Sequence, residues 1–446
     1  MREFELEYKG LGAGLRRRSR TVRSEYGLTE CYNLVPQELG LEPYDPISMP
    51  FTSKVVNWPF PQILTLSKYH LLLEPSGAYT IDDDFNLTAI LNGSQNSKGL
   101  WHVADFGTYV LLTDGATFIY FDTTYELWKR QVNPSSTLPL VNTVCAFNGQ
   151  CVAGGINSNW YDCDGNSVIW SKIGSLDFLL DQMNLSGYHH MPIKGEVLCV
   201  KPLGKGVVVY GSTYIMLMFP AEQSFGFHKL GSYGLCGRDA VAGDLGHHVF
   251  VDLSGRLRMI DSEFNVKDLG YQEFFYPLLG EDIIASFNPV TGEFNFCTED
   301  MNYILTDKGA LASHLQCITS IGITDQGVIC MAENLSDTSG YFTTDSIDFH
   351  QRGQKTIQAA TFALESDQSC QAAIDWRNNH KNSYQRSPLK PVNQEGVAHL
   401  PVAGSDLRVH FYTPDYTNTF VDTMTVKYKV TDKRYLRGIY ADQAIA

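Results

Sequence analysis

The chain has 446 residues, 43% of them hydrophobic and 19% charged, enough apolar matter to bury a core, which excludes a disordered or collagen-like polymer. Its 34 Lys and Arg against 49 Asp and Glu leave a net charge of −15, which excludes nucleic-acid binding over the whole surface and confines any DNA contact to a local patch. The 24 Tyr, 24 Phe and 38 Gly point to many short strands joined by tight turns.

The opening, Met1 to Tyr8, alternates apolar with charged residues like an exposed strand and lacks the apolar core of a signal peptide. Behind it, Arg16-Arg17-Arg18-Ser19-Arg20-Thr21-Val22-Arg23 places five arginines in eight residues of an acidic chain. Guanidinium groups are planar donors suited to carboxylates and phosphates, so Arg16, Arg17, Arg18, Arg20 and Arg23 read as a flexible arm that docks on an acidic partner or on nucleic-acid phosphate. A solvated loop with no partner is the plainer alternative.

From about residue 50 a unit recurs in which an apolar run passes through a Gly-containing turn into a second run. His70 to Leu73 leads to Ala78 to Ile81, Tyr109 to Leu112 to Thr117 to Phe121, and Val144 to Phe147 to Gln150 to Val152. Gly206 to Tyr210 leads to Tyr214 to Leu217, His248 to Val251 to Leu257 to Ile260, Ile284 to Phe287 to Glu293 to Phe296, and Ser320 to Ile323 to Val328 to Cys330. Each reads as a hairpin, because Asn-Gly, Asp-Gly and Ser-Gly supply the positive φ such turns need. The turn glycines 77, 115, 149, 211, 255, 292 and 327 recur at a period near ~40 residues, the pitch of propeller blades, apart from one long interval after Gly149 that reads as an insertion. A pair of β-sandwiches is the alternative at this pitch. The expected architecture is therefore all-β, with a β-propeller of six or seven blades over residues 50–353.

The longest apolar stretch, Val207 to Pro220, is broken by Gly211, Ser212 and Thr213 and reads as strands rather than a membrane span. From about Gln354 the texture changes. Thr356 to Leu364, Ala372 to Trp376, Val397 to Val402, Leu407 to Tyr412 and Met424 to Val430 read as strands of a small C-terminal antiparallel sandwich over residues 354–446. Residues 1–49 form the N-terminal strand and arm. After the last strand, Lys433, Arg434 and Arg437 make a second basic cluster, read with the arginine arm as partner-binding.

No motif demands catalysis. G-x-S-x-G, P-loop, G-x-G-x-x-G and H-E-x-x-H patterns are absent, and no catalytic residue, metal or cofactor is expected. His189-His190 and His247-His248 are neighbours on strands, so their side chains point to opposite faces and serve one metal poorly. Asp82-Asp83-Asp84 and Asp162 to Asn166 lack the spacing of an EF-hand and read as turn caps, with Ca²⁺ as the minor alternative. The ten cysteines contain no C-x-x-C pair and read as buried reduced thiols, which fits assembly in a reducing cytosol.

Three segments carry a resemblance. Arg20 to Ser24, then Glu30-Cys31-Tyr32-Asn33-Leu34-Val35-Pro36 and Gly40 to Pro43, resemble the start of propeller proteins from the tails of short-tailed bacteriophages. Ser167-Val168-Ile169-Trp170-Ser171-Lys172-Ile173-Gly174-Ser175-Leu176-Asp177-Phe178 is similar to a blade segment of phage tail and virion propellers, with Asn166 and Leu176 departing from the pattern. Val426, Tyr428, Asp432, Arg434, Arg437 and Gly438 are similar to their C-terminal pattern. The family implied is the tail nozzle, also called hub or packaged-DNA stabilisation protein. The resemblance implies a structural virion subunit, made in the bacterial cytoplasm, that joins a six-fold ring below the portal and adaptor. It further implies contacts with the adaptor and with tail fibre or needle proteins, and DNA passing through the lumen without sequence-specific contact. The second expectation is a receptor- or glycan-binding propeller at a tail tip, hydrolytic in its sialidase-like form, towards which Ser336 to Phe342 faintly resembles an aspartate-box turn.

Overall fold

The computed structural model describes residues 3–17, 26–38, 40–51, 61–74, 77–92, 100–122, 125–181, 183, 185–222, 224–334, 337–347, 349, 354–379 and 381–431. Among them the chain is all-β apart from a single short α-helix, Gln272–Phe275, and a 3-10 turn that follows it. Each expected hairpin is present. In blade 1 the strands Gln62–Thr65, His70–Glu74, Gly77–Ile81 and Leu87–Asn92 form an antiparallel meander. The same order recurs from His102–Asp105 to Leu127–Gln131, from Val141–Phe147 to Gly187–His190, from Val197–Leu203 to Ser224–Gly231, from Val241–Gly243 to Val266–Gly270, and from Ile284–Asn288 to Leu311–Ser313. A seventh unit is the hairpin of Gln316–Thr324 with Gly327–Asn334.

First strands of neighbouring units pack side by side, blade 2 on 3, 3 on 4, 5 on 6, 6 on the seventh unit and the seventh on blade 1, which is the arrangement of a β-propeller. The ring closes between the seventh unit and blade 1, where Ser320 Oγ accepts the Ile63 N–H at 2.8 Å and Thr65 Oγ1 accepts the Ile323 N–H at 2.8 Å. Ser48 bridges to Ile329 on the outer side of the seventh hairpin, so chain from before the first blade completes the last one. Alternate apolar side chains fill the spaces between blades, as with Val152, Val168, Val200, Val207, Val209 and Met218 between blades 3 and 4.

Aspartates shape the turns. Asp82 Oδ1 accepts the N–H groups of Asp84 and Asn86, and Asp261 Oδ1 those of Glu263 and Asn265, with Phe85 and Phe264 at φ 61° and 65° between them. These backbone donors hold both carboxyls below the ordinary range. Asp164 Oδ1 likewise accepts from Asn166 N–H and the Ser167 hydroxyl, so both acidic motifs of the sequence are occupied in capping turns.

The strands of the two ends form a sandwich. One sheet runs Leu34–Pro36, Leu41–Pro43, Thr419–Val430, Lys355–Ser366, Val397–Gly404, with Glu3–Tyr8 antiparallel to Met424 through Lys429. The other is a continuation of blade 6. Its outer strand Leu311–Ser313 pairs with Leu28–Tyr32, and the sheet goes on through Gly340–Thr344, Asp406–Thr413 and Gln371–Arg377. The strands from Glu3–Tyr8 to Leu41–Pro43 and from Gly340–Thr344 to Thr419–Val430 therefore share one body, which a common sheet joins to the propeller. Phe362 from the first sheet meets Phe342 and Phe411 from the second, with ring centroids 6.4 and 5.1 Å away, and all three are buried.

Asn33 turns the chain from one sheet to the other. It sits at φ 56°, fully buried, and its Nδ2 donates to Ser339 O at 2.8 Å. Asn adopts this left-handed conformation more readily than residues other than Gly. Asn33→Ala is expected to cost about 2 kcal/mol, roughly half from left-handed strain and half from the lost buried hydrogen bond, and Asn33→Gly about half that. Urea unfolding of the two variants checks it, and equal losses would remove the conformational part of the argument.

Candidate functional site

Arg16 and Arg17, expected in a free arm, are tied inward. Arg16 Nε and Nη2 donate to the two oxygens of Glu273, at 2.5 and 3.0 Å, while Nη1 donates to Asp345 Oδ1 at 3.0 Å. Glu273 belongs to the short helix after blade 5 and Asp345 follows sandwich strand Gly340–Thr344, so one guanidinium fastens the two bodies to each other. Burial would lower the Arg16 pKa, but Glu273 and Asp345 more than offset it and raise the value. Arg17 Nε donates to the Tyr271 hydroxyl at 3.0 Å, Nη2 reaches Gly309 O, and Tyr271 Oη donates to the same carbonyl at 2.8 Å. Arg16 and Arg17, read from the sequence as partner-binding, thus have donors taken by carboxylates, a hydroxyl and a carbonyl of the same chain. Arg18, Arg20, Arg23, Lys433, Arg434 and Arg437 lie outside the described residues.

A cavity of about 750 Å³ occupies the propeller centre, lined by the first strands of blades 1 to 6, by residues just before or after them, and by His248 of the second strand of blade 5. His102 Nε2 and Asp239 Oδ1 are 3.0 Å apart, His102 Nδ1 and Thr143 Oγ1 2.7 Å, and Thr143 Oγ1 accepts the Val200 N–H at 3.1 Å. The carboxylate fixes the tautomer: Nε2 carries the proton and Nδ1 accepts from the threonine hydroxyl. Burial, then the charge of Arg238, brings the His102 pKa down to about 4, so the ring is neutral at pH 7. Asp239 is held below the usual carboxylate range, since Arg238 and His102 outweigh its burial, and it also accepts the Leu100 N–H at 3.3 Å. Arg238 itself donates to three carbonyls, of Asn142, Leu100 and Thr113, stitching blades 2 and 3 to the start of blade 5.

Cys199 Sγ lies 3.9 Å from His102 Nδ1, an arrangement of thiol, imidazole and carboxylate that invites a catalytic reading. The chemistry opposes it. Burial pushes the Cys199 thiol up to about 11 and Cys145 well above its ordinary value, so neither is a thiolate nucleophile at neutral pH. Sequence reasoning did not single out His102, Asp239 or Lys201, because they belong to or precede the first strands of three different blades and converge only when the ring closes. The histidine pairs that it did single out serve packing. His189 stacks on Phe227 with centroids 4.1 Å apart, and His248 bonds the Tyr210 hydroxyl and Pro202 O at 2.9 and 3.1 Å. Among the described residues no group of three or more His, Cys, Asp or Glu is placed to hold a metal ion, and no helix is long and apolar enough to cross a membrane.

The segments that carry the resemblance are architectural. Glu30 to Pro36 is the sandwich corner around Asn33. In Ser167 to Phe178, Ser171 Oγ accepts the Cys151 N–H at 2.9 Å, Lys172 pairs with Asp177 at 2.7 Å, and the Phe178 N–H donates to Thr137 O in the connection between blades 2 and 3. Val426 and Tyr428 lie on the strand that joins Glu3–Tyr8 to Lys355–Ser366.

No protein-family model matches the sequence, and no curated protein does. Solved structures match in shape. Virginiamycin B lyase from Staphylococcus aureus is similar at 13% identity and a TM-score of 0.40, over 63% of this chain and 90% of that one. The Pan2 WD40 domain from Neurospora crassa is similar at 7% and 0.38, over 64% and 89%. BamB from Moraxella catarrhalis is similar at 10% and 0.35, over 82% and 100%. At this identity the likeness extends to the fold alone, and one neighbour's being an enzyme transfers no activity to this chain.

Proposed function

We propose that this chain is a non-enzymatic, ring-forming subunit of a bacteriophage tail, of the nozzle type that extends and closes the DNA channel below portal and adaptor. One observation carries the reading: the two end segments that resemble nozzle proteins, 390 residues apart, meet in one sandwich that shares a sheet with blade 6 and is fastened to the propeller by Arg16. The shared sheet and the arginine supply a stiff connection between two bodies, which a subunit that transmits position around a ring needs. The charge of −15 supports it further, since an acidic surface repels DNA in transit rather than holding it.

Sedimentation velocity and negative-stain electron microscopy of the purified chain, alone and with a phage adaptor protein, test the reading. A closed ring with six-fold symmetry, formed alone or on the adaptor, is expected. A chain that stays monomeric in both conditions over micromolar concentrations refutes it.

A further inference from the structure

We propose that the central cavity of the propeller binds a small, largely apolar monoanion, of the class of aliphatic or aromatic carboxylates, with Lys201 as its counter-charge. This inference is independent of the ring-building reading.

Charged side chains of both signs line the cavity. Three are carboxylates, and each is committed. Asp105 accepts the Ser67 N–H and hydroxyl at 2.5 and 2.9 Å and the Gly107 N–H at 2.9 Å. Asp244 accepts the N–H groups of Gly246 and His247 at 2.8 and 3.1 Å and stands 3.5 Å from the His247 ring. Asp239 is taken by His102 and the Leu100 N–H. The two histidines of the lining, His102 and His248, have both ring nitrogens occupied. Lys201 remains. It lies in strand Val197–Leu203, lines the cavity, and among the described residues makes no hydrogen bond or ion pair. Its charge acts on the interior, contributing to the lowered pKa of both His102 and His248.

Lys201 is half-buried at the cavity wall, and with the three carboxylates held in hydrogen bonds of their own its ammonium is open to a further counter-charge. The surroundings define the ligand that would supply one. A single point cation, with no free guanidinium fork beside it, matches one negative charge, whereas a phosphate dianion calls for several convergent donors. The committed carboxylates of Asp105, Asp239 and Asp244 oppose a second negative charge. Leu64, Val103, Val144, Ala146, Phe147 and Leu245 present apolar surface to the rest of the space, so the body of the ligand is aliphatic or aromatic. A volume of about 750 Å³ admits a molecule of that size with room for water.

The test uses three probes of one shape, titrated into the full-length chain by isothermal calorimetry: sodium octanoate, octanol and octylamine. Octanoate is expected to bind at least tenfold more tightly than octanol, with octylamine weakest. Lys201→Met is expected to bring octanoate to the affinity of octanol, Lys201→Arg to keep the preference for octanoate, and Ala146→Phe to weaken both ligands by filling the space. Equal affinities of octanoate and octanol for the unaltered chain, no octanoate binding at millimolar concentration, or full octanoate affinity in a folded Lys201→Met would each overturn the proposal. Because the probe series is read on the unaltered protein, a variant that fails to fold leaves the decision intact.

Discussion

Replacing Arg16 by methionine is expected to lower the stability of the chain by about 3 kcal/mol. The side chain is 17% exposed and its partners Glu273 and Asp345 are 28% and 15% exposed, so all three are shielded enough that a broken pair leaves carboxylates short of a donor rather than merely rehydrated. Two of its bonds form a fork to one carboxylate, the geometry that lysine cannot reproduce. Arg408, 3.9 Å from Asp345, partly compensates on the sandwich side, which places the loss at the lower end of the range for buried pairs. Arg16→Lys is expected to recover roughly half, reaching one partner but not both. Equilibrium urea unfolding followed by circular dichroism measures this, and a change within about 0.5 kcal/mol of zero would mean that Arg16 contributes no more than an exposed pair.

That expectation replaces the one drawn from composition. Five arginines in eight residues look like a tether for an outside partner, since a run of like charges without local compensation has no reason to stay on its own surface. The acids that compensate Arg16 lie at 273 and 345, beyond the reach of any local pattern. Hairpins are a different matter. Their turn chemistry is local, so Asn148-Gly149, Ser254-Gly255 and Gly292 mark their positions directly, with all three glycines at positive φ. Even the outlier in the glycine spacing has a local cause. The hairpin at Gly149 joins the first and second strands of blade 3, whereas that at Gly211 joins the second and third strands of blade 4. The interval therefore spans an additional strand as well as the long connections 157–166 and 171–186. It holds the rest of blade 3, neither an additional blade nor a single tip loop. What the sequence conceals is closure: that Ser48 completes the seventh unit, that Glu3–Tyr8 lies beside the last described strand, and that His102, Asp239 and Lys201 face one cavity. Each depends on contacts between residues far apart in the chain, which periodicity does not encode.

Acid is expected to unfold the protein between about pH 5 and pH 4, chiefly through its histidines, in the range where ordinary carboxylates only begin to protonate. Four histidines are responsible. Burial is the leading cause in every case, bringing His102 and His410 down to about 4 and His248 and His314 to about 3. His248, His314 and His410 are at most 5% exposed. The neighbours reinforce burial: Arg238 and Lys201 face His102, Lys201 faces His248, and Arg386 Nη1 lies 3.3 Å from His410 Nε2 while Thr343 meets its Nδ1 at 2.9 Å. Since each folded pKa lies below the unfolded value of about 6.5, the stabilisation is fully present above pH 6.5 and is lost as pH falls towards the folded values, because the unfolded chain takes up the protons first. At pH 5 each histidine has withdrawn about 2 kcal/mol, and four together withdraw an amount comparable to the whole stability of a typical domain. Glu293 works in the opposite direction, its carboxyl raised by burial and by the charges of Asp307 and Asp45, but it is one group against four. Urea unfolding at pH 7.5, 6, 5.5 and 5 is expected to show stability nearly level down to about pH 6.5 and then falling with a slope that steepens to about 5 kcal/mol per pH unit. His410→Gln, which removes one titrating ring, is expected to reduce that slope by about a quarter. A protein equally stable at pH 7.5 and pH 5 would show that these rings accept protons within the fold, and that the cavity around His102 is open to water.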